Sequence, residues 1–397
     1  MDTLETKEPT IEENNDVMEF SNWDDLDISD KLLRGIYAYG YEKPSIIQSK
    51  TCKPIMSGRD VIAQSQSGTG KTASFVIGSL TKIDDTLDEL QVIILSPTRE
   101  LSIQIHSVIT NLTNSWADLR SHCVVGGVPI KDNIQYFKNS IPHILVATTG
   151  RLLDLIKRRV INTRHVKMLV LDEADELLQN NFQVQIRELV SKMESDIQIL
   201  LFTATVPDEM MAVSKKFMRN PYIISIQSEN LSLDGIKQYY CAVMNDVQKV
   251  ETLKDIYSQI SISQSIIYCN SVNRTMILYE ELKSESFPVA FIHSTMDKSE
   301  RSTIFNSFKS GKYRVLISTD ITSRGIDIQQ VGVVINFDIP VCKYTYLHRI
   351  GRSGRWGRKG IAINFVVNRD TYLMKDIESY YKCNIEELPS NFSSYIA

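Results

Sequence analysis

The sequence predicts an α/β protein of two domains, each a mostly parallel sheet flanked by helices, with a cleft between them. Three observations carry this. A length of 397 residues fits two domains, or one large one, at roughly 150 residues per domain. Short apolar runs alternate with longer amphipathic or charged segments, as buried parallel strands and their crossover helices do. The alternation stops at a polar stretch near 227–236 and then starts again.

Residues 1–30 hold eleven carboxylates and one lysine, with few apolar residues before Phe20 and Trp23, and read as a solvated acidic arm. In the first domain, 31–228, the strand candidates are Val61-Ile62-Ala63, Val92-Ile93-Ile94-Leu95, His143-Ile144-Leu145-Val146, Met168-Leu169-Val170-Leu171 and Ile199-Leu200-Leu201-Phe202. In the second, 229–397, they are Ser265-Ile266-Ile267-Tyr268, Val289-Ala290-Phe291-Ile292, Val315-Leu316-Ile317-Ser318, Val333-Val334-Ile335-Asn336 and Ile361-Ala362-Ile363-Asn364-Phe365.

Composition narrows the function. With 43% hydrophobic and 23% charged residues the chain is globular, neither fibrous nor disordered. Six cysteines at 52, 123, 241, 269, 342 and 383 form no CxxC or CxxH pair, so no zinc site or disulfide framework is expected. The N-terminus is acidic where a signal or transit peptide is basic, and no apolar run nears the roughly 18 residues that span a bilayer. A soluble intracellular protein is expected.

The net charge of −4 at first argues against a polyanion ligand. By segment it does not: the arm carries −10, residues 31–228 carry 23 basic against 19 acidic groups, and residues 229–397 carry 20 against 18. The two domains are net basic.

Three motifs carry chemistry. Gly68-Thr69-Gly70-Lys71-Thr72 follows a strand and opens a helix, the setting in which backbone amides cradle phosphates, Lys71 reaches the β and γ oxygens, and the Thr72 hydroxyl binds Mg²⁺. The strict phosphate-loop pattern has Gly where Ser65 stands. The strand at 169–171 runs into Asp172-Glu173-Ala174-Asp175, where Asp172 would hold Mg²⁺ through water and Glu173 would orient or deprotonate the attacking water. Alone, that tetrapeptide reads as an acidic helix cap. His348-Arg349-Ile350-Gly351-Arg352-Ser353-Gly354-Arg355 is either a surface patch or a source of arginine fingers, Arg352 and Arg355, brought in when the domains close.

With these residues the chain resembles the DEAD-box ATP-dependent RNA helicases, from about Trp23 to the C-terminus, and within them the initiation factor 4A group. The resemblance implies two RecA-like domains, ATP and Mg²⁺ as cofactors, RNA as partner with little sequence preference, protein partners, and a monomer. It assigns Tyr41 to stacking on adenine and Gln48 to reading its edge. Ser65, Gln66 and Ser67 join the phosphate loop, and Asp327 of Arg324-Gly325-Ile326-Asp327 lies near the ribose. RNA contacts fall to Pro97, Thr98, Arg99, Gly127, Gly150, Arg151, Asn270, Arg301 and Thr319. Thr203, Thr205 and His348 couple hydrolysis to strand separation.

Departures from the family pattern stand at Ser65, Thr149, Thr203, Ser294, Lys298 and Ser323. Thr149 replaces a Pro and is expected to free a loop that the family holds rigid; Lys298 replaces an amide by a charge. Of two sister types, the nuclear one, acting at the exon junction complex or in pre-rRNA processing, is favoured over the cytoplasmic translation factor. The favouring segments are 63–66, 167–169, 268–270, 317–320 and 352–354. The competing functions are a low-turnover RNA clamp, a DNA translocase and a small-molecule kinase.

Overall fold

The computed structural model describes residues 19–66, 68–226, 236–259, 264–322, 331–353, 360–389 and 392. The first domain is a parallel sheet of β1 (Val61–Gln64), β2 (Val92–Ser96), β3 (Ser121–Val124), β4 (Ile144–Thr148), β5 (Met168–Asp172), β6 (Gln198–Thr203) and β7 (Tyr222–Ser225). The second contains β8 (Ile236–Ala242), β9 (Ser265–Tyr268), β10 (Val289–Ile292), β11 (Val315–Ser318), β12 (Val333–Asn336), β13 (Gly360–Val366) and β14 (Glu386–Glu387). The strand orders are β3-β4-β2-β5-β6-β1-β7 and β10-β11-β9-β12-β13-β8-β14. Counted from its own first strand, each half has the same order, so the two halves share one topology.

All ten predicted runs are strands. They are near-continuous in apolar residues because both faces are covered. Along β5, Met168 and Val170 join one core cluster while Leu169 and Leu171 join the cluster on the opposite face. In the second domain, Ile267 and Ile335 face one cluster, Ile266 and Val334 another. β3 and β7 were not anticipated: both are edge strands, and Ser121, His122 and Cys123 of β3 are only partly buried, so neither needs an apolar run. β8 starts at Ile236, inside the stretch expected to be linker.

The acidic arm is shorter than its composition suggests. Phe20, Trp23 and Leu26 belong to the first domain's core, Trp23 is fully buried, and its ring centroid lies 5.6 Å from that of Phe20. A few apolar residues among carboxylates anchor this stretch, so the packed chain begins by Phe20 rather than after residue 30. Ser29 then caps the helix Asp30–Ala38 by accepting from the Leu32 amide.

That helix crosses the helix Arg99–Leu112 at Gly35. A Cβ placed on Gly35 would lie 1.8 Å from the Leu112 carbonyl oxygen, a contact that only movement of one helix relieves. Gly35→Ala gains helix propensity of about 1 kcal/mol, yet it is expected to lower the stability of the full chain by about 1–3 kcal/mol through overpacking. Urea denaturation measures the change; a stabilised variant would refute the close approach.

Candidate active site between the two sheets

Both carboxyl edges, where open α/β sheets bind ligands, carry the chemistry-bearing residues. After β1 the chain turns through Ser65 and Gln66 to Gly70, whose φ of 103° is left-handed and caps the helix Lys71–Leu80. A Cβ on Gly70 would lie 2.6 Å from Gln48 Nε2. The loop is braced from within: Ser65 Oγ and Thr69 Oγ1 are 2.6 Å apart, and Thr69 Oγ1 donates to the Gln66 carbonyl. Lys71 Nζ donates to the Ser65 and Gln66 carbonyls at 2.6 and 2.9 Å. Burial lowers the pKa of Lys71, opposed by the nearby Glu173, Asp172 and Asp175. Arg352, from the other domain, lowers it further.

Gln48 sits beneath this loop. Its Oε1 accepts from the Ser45 amide and its Nε2 donates to the Gly70 carbonyl at 3.4 Å, tying the start of the helix Ile46–Met56 to the phosphate loop. Tyr41 is partly buried beside Tyr39, ring centroids 4.7 Å apart.

β5 delivers Asp172, buried, with Oδ1 accepting from the Glu173 amide at 3.0 Å. Burial pushes its pKa up to about 7, Glu173 adds to the rise, and Lys71 opposes it. Glu173 has a left-handed φ of 52°. Its Oε2 is buried without a hydrogen-bond partner. The donors at Asp172 and Thr72 are all oxygen, and a buried carboxylate raised by desolvation is what a divalent cation relieves; this chemistry fits Mg²⁺.

Asp175 reaches across the seam. Its Oδ2 accepts from Thr205 Oγ1 at 2.6 Å and lies 2.9 Å from Nε2 of His348, on the second domain's helix Lys343–Ile350. Thr203 Oγ1 donates to the Thr205 carbonyl and accepts from its amide. Ala204 packs in a second-domain cluster with Ile339, Leu347 and Ile350. A continuous buried chain therefore runs from β6 through Thr205 and Asp175 to His348.

A second meeting of the domains lies at Arg301, 3.7 Å from Glu100. Beside it an open cavity of about 690 Å³ is lined by Arg99 and Gly127 of the first domain and by Thr295, Met296, Asp297 and Ser299 of the second.

The DEAD/DEAH box helicase family matches residues 45–213, and the helicase conserved C-terminal domain matches residues 248–357. The chain is a DEAD-box RNA helicase. It is 46% identical over 382 residues to the "ATP-dependent RNA helicase eIF4A" of Meyerozyma guilliermondii, covering 96% of each chain. It is 45% identical over 377 residues to the "Eukaryotic initiation factor 4A" of Drosophila melanogaster, covering 95% and 93%. Among solved structures, S. cerevisiae Dbp5 bound to RNA and ADP BeF3 aligns with a TM-score of 0.86 at 33% identity, covering 94% of this chain and 97% of that one. As a member of this family it is an ATP-dependent enzyme with RNA-stimulated ATPase activity, built on two RecA-like domains.

In this helicase the sequence-assigned residues fall into three groups. Lys71, Asp172, Glu173, Thr203, Thr205, His348 and Arg352 converge on the seam. Thr98 caps the helix Arg99–Leu112, and Arg99 and Gly127 line the cavity. Arg151 holds the adjoining loop by donating to the Val128 carbonyl and Asn133 Oδ1. Ser67, Ser323, Asp327 and Arg355 lie outside the described residues, as does the side chain of Lys298.

Asn270 has a structural task besides its expected place, and the expectation for Thr149 needs correction. The Asn270 side chain is occupied within its own domain: Nδ2 donates to the Ile339 carbonyl and Oδ1 accepts from Arg349 Nη2. It braces its own domain while remaining exposed to solvent. Thr149 does not loosen its loop, because it is the first residue of the helix Thr149–Lys157 and is 1% exposed. Its cost is different: the buried Oγ1 has no partner. Proline suits a first helical position, so Thr149→Pro is expected to stabilise the protein by about 1–2 kcal/mol. A urea midpoint that fails to rise would refute this.

Sequence reasoning gave no separate role to Asp175, Glu100 or Arg349. Asp175 carried a signal, being the last residue of the acidic tetrapeptide. Arg349 was hidden in a run read by its charge: it is fully buried, donating to Asp320 Oδ1, the Asp338 carbonyl and Asn270 Oδ1 at 2.6–2.7 Å.

Proposed function

We propose that ATP binds on the loop 65–72 with Mg²⁺ held by Asp172 and Thr72, while RNA lies across both domains at the cavity between Arg99 and Ser299. The ion would neutralise phosphate charge as it develops. Lys71 leaves the loop carbonyls to meet the phosphates. Glu173, whose Oε2 has no protein partner, orients and deprotonates the attacking water. Arg352 and Arg355 contribute as arginine fingers, a class of contact that accelerates phosphoryl transfer by roughly 10³–10⁵. The observation that carries this reading is the Thr205–Asp175–His348 chain: it joins a residue two positions from the hydrolytic carboxylate to the opposite domain, so closure and hydrolysis share one contact. ATP and RNA binding are then reciprocally coupled, and the bound strand is bent out of duplex geometry.

The relatives' names favour cytoplasmic translation initiation over the nuclear exon-junction or pre-rRNA setting. The structures of Dbp5 with Gle1, and with Nup159, support protein partners for this chain as well. None of the described helices is long and apolar enough to cross a membrane.

Two measurements test the reading. ATP-dependent unwinding of a short RNA duplex should outpace that of the DNA duplex of the same sequence; equal rates would point to a DNA translocase, and RNA retention without turnover to a clamp. Depleting the protein from a cell-free translation extract of its source should slow initiation on messages with structured leaders. Undiminished initiation would overturn the pathway.

A further inference from the structure

One donor atom each from Glu173, Asp175 and His348 lies within 4.8 Å of the other two, and all three residues are buried. No other group of three His, Cys or carboxylate donors comes this close among the described residues. Glu173 Oε2 is buried with no hydrogen-bond partner, a carboxylate oxygen whose desolvation a cation would offset. We propose that these three residues form a site for a borderline transition-metal dication of the Zn²⁺ class, bridging the two domains and separate from the Mg²⁺ position at Asp172 and Thr72.

The donor set makes the selection. Two carboxylates and one imidazole give three protein ligands with a fourth position open, the composition of an accessible zinc site. Imidazole favours Zn²⁺ or Co²⁺, whereas Mg²⁺ prefers oxygen and keeps its waters. Bonds of about 2.1 Å at a tetrahedral centre place ligand atoms roughly 3.4 Å apart. The Asp175–His348 separation of 2.9 Å therefore has to open by only about half an ångström. The ion takes the place of the hydrogen bond within that pair, binding the neutral imidazole through Nε2 with its proton on Nδ1. Two buried carboxylates and a dication sum to zero charge.

Filling this site has two effects at once. Glu173 is withdrawn from the water it serves, and the first domain is tied to the second through metal bonds in place of a hydrogen bond. The expected product is a closed enzyme that no longer hydrolyses ATP and releases RNA slowly. This consequence rests on the proposed role of Glu173; the metal binding itself does not.

The test uses the full chain in excess Mg²⁺, titrated calorimetrically with ZnCl₂. One tight equivalent is expected. It should disappear in His348→Gln, which keeps a hydrogen bond to Asp175 but offers a poor ligand, and return in His348→Cys, which supplies a thiolate. It should persist in Cys342→Ser, which removes the exposed thiol. In the wild type, Zn²⁺ should slow dissociation of a labelled oligouridine at least tenfold. An equivalent that survives in His348→Gln, or vanishes in Cys342→Ser, overturns the site. Absence of RNA-stimulated ATPase in the zinc-free wild type in excess Mg²⁺ would instead overturn the functional reading.

Discussion

Glu173→Gln is expected to reduce RNA-stimulated ATP hydrolysis by roughly 10²–10⁴, the usual contribution of a positioned general base. ATP binding should be retained. The substitution preserves volume and the left-handed backbone, and it removes charge from a carboxylate whose Oε2 makes no protein hydrogen bond. Stability should therefore stay within about 1 kcal/mol of the wild type. Phosphate release, nucleotide affinity and thermal unfolding measured on one preparation separate the outcomes. Wild-type turnover would remove Glu173 from the chemistry, and loss of nucleotide binding would place its role in holding ATP.

Arg349→Met should have the largest effect on stability. The guanidinium is fully buried above the Tyr268 ring, 5.2 Å from its centroid, and its removal takes a charged donor from the Asp338 carbonyl, Asn270 Oδ1 and the half-exposed Asp320 carboxylate. Losing these charge-assisted hydrogen bonds together costs about 3–5 kcal/mol. For a unit of 150–250 residues that lowers the melting temperature by roughly 6–20 °C. Arg349→Lys keeps the charge but not the planar fork, and should fall between the two. A methionine variant that melts with the wild type would mean that the cationic run at 348–355 is a surface patch after all.

The contrast between Arg349 and Arg352 explains much of what the sequence left hidden. Charge and spacing identify a cationic helix end; they do not say which side its arginines face. Arg349 turns into its own domain, while Arg352 lies close enough to the phosphate loop to depress Lys71. The central strands were legible because both their faces need apolar side chains. The edge strands β3 and β7 need them on fewer sides and were not.

The catalytic loop and the acidic tetrapeptide were legible because their chemistry fixes residue type and order along the chain. Contacts between domains, such as Glu100 with Arg301 or Ala204 with Ile339, depend on three-dimensional placement and leave no local pattern. Thr149 shows the limit of reasoning from a departure. Its position in the chain suggested a loosened loop, but the helix begins on schedule and the penalty is one orphaned hydroxyl.

The identical strand order of the two halves has a further consequence. Two copies of one fold, joined by ten residues between β7 and β8, behave as a dimer whose subunits cannot diffuse apart. A fully extended connection of that length reaches roughly 30–35 Å, which holds each half at an effective concentration on the order of millimolar relative to the other. A pairing that would have a Kd near 1 mM between free proteins, worth about 4 kcal/mol, is then close to half-formed. The seam can accordingly be small, polar and reversible. Modest binding energy from either ligand suffices to tip it, and the loss of that ligand suffices to let it go.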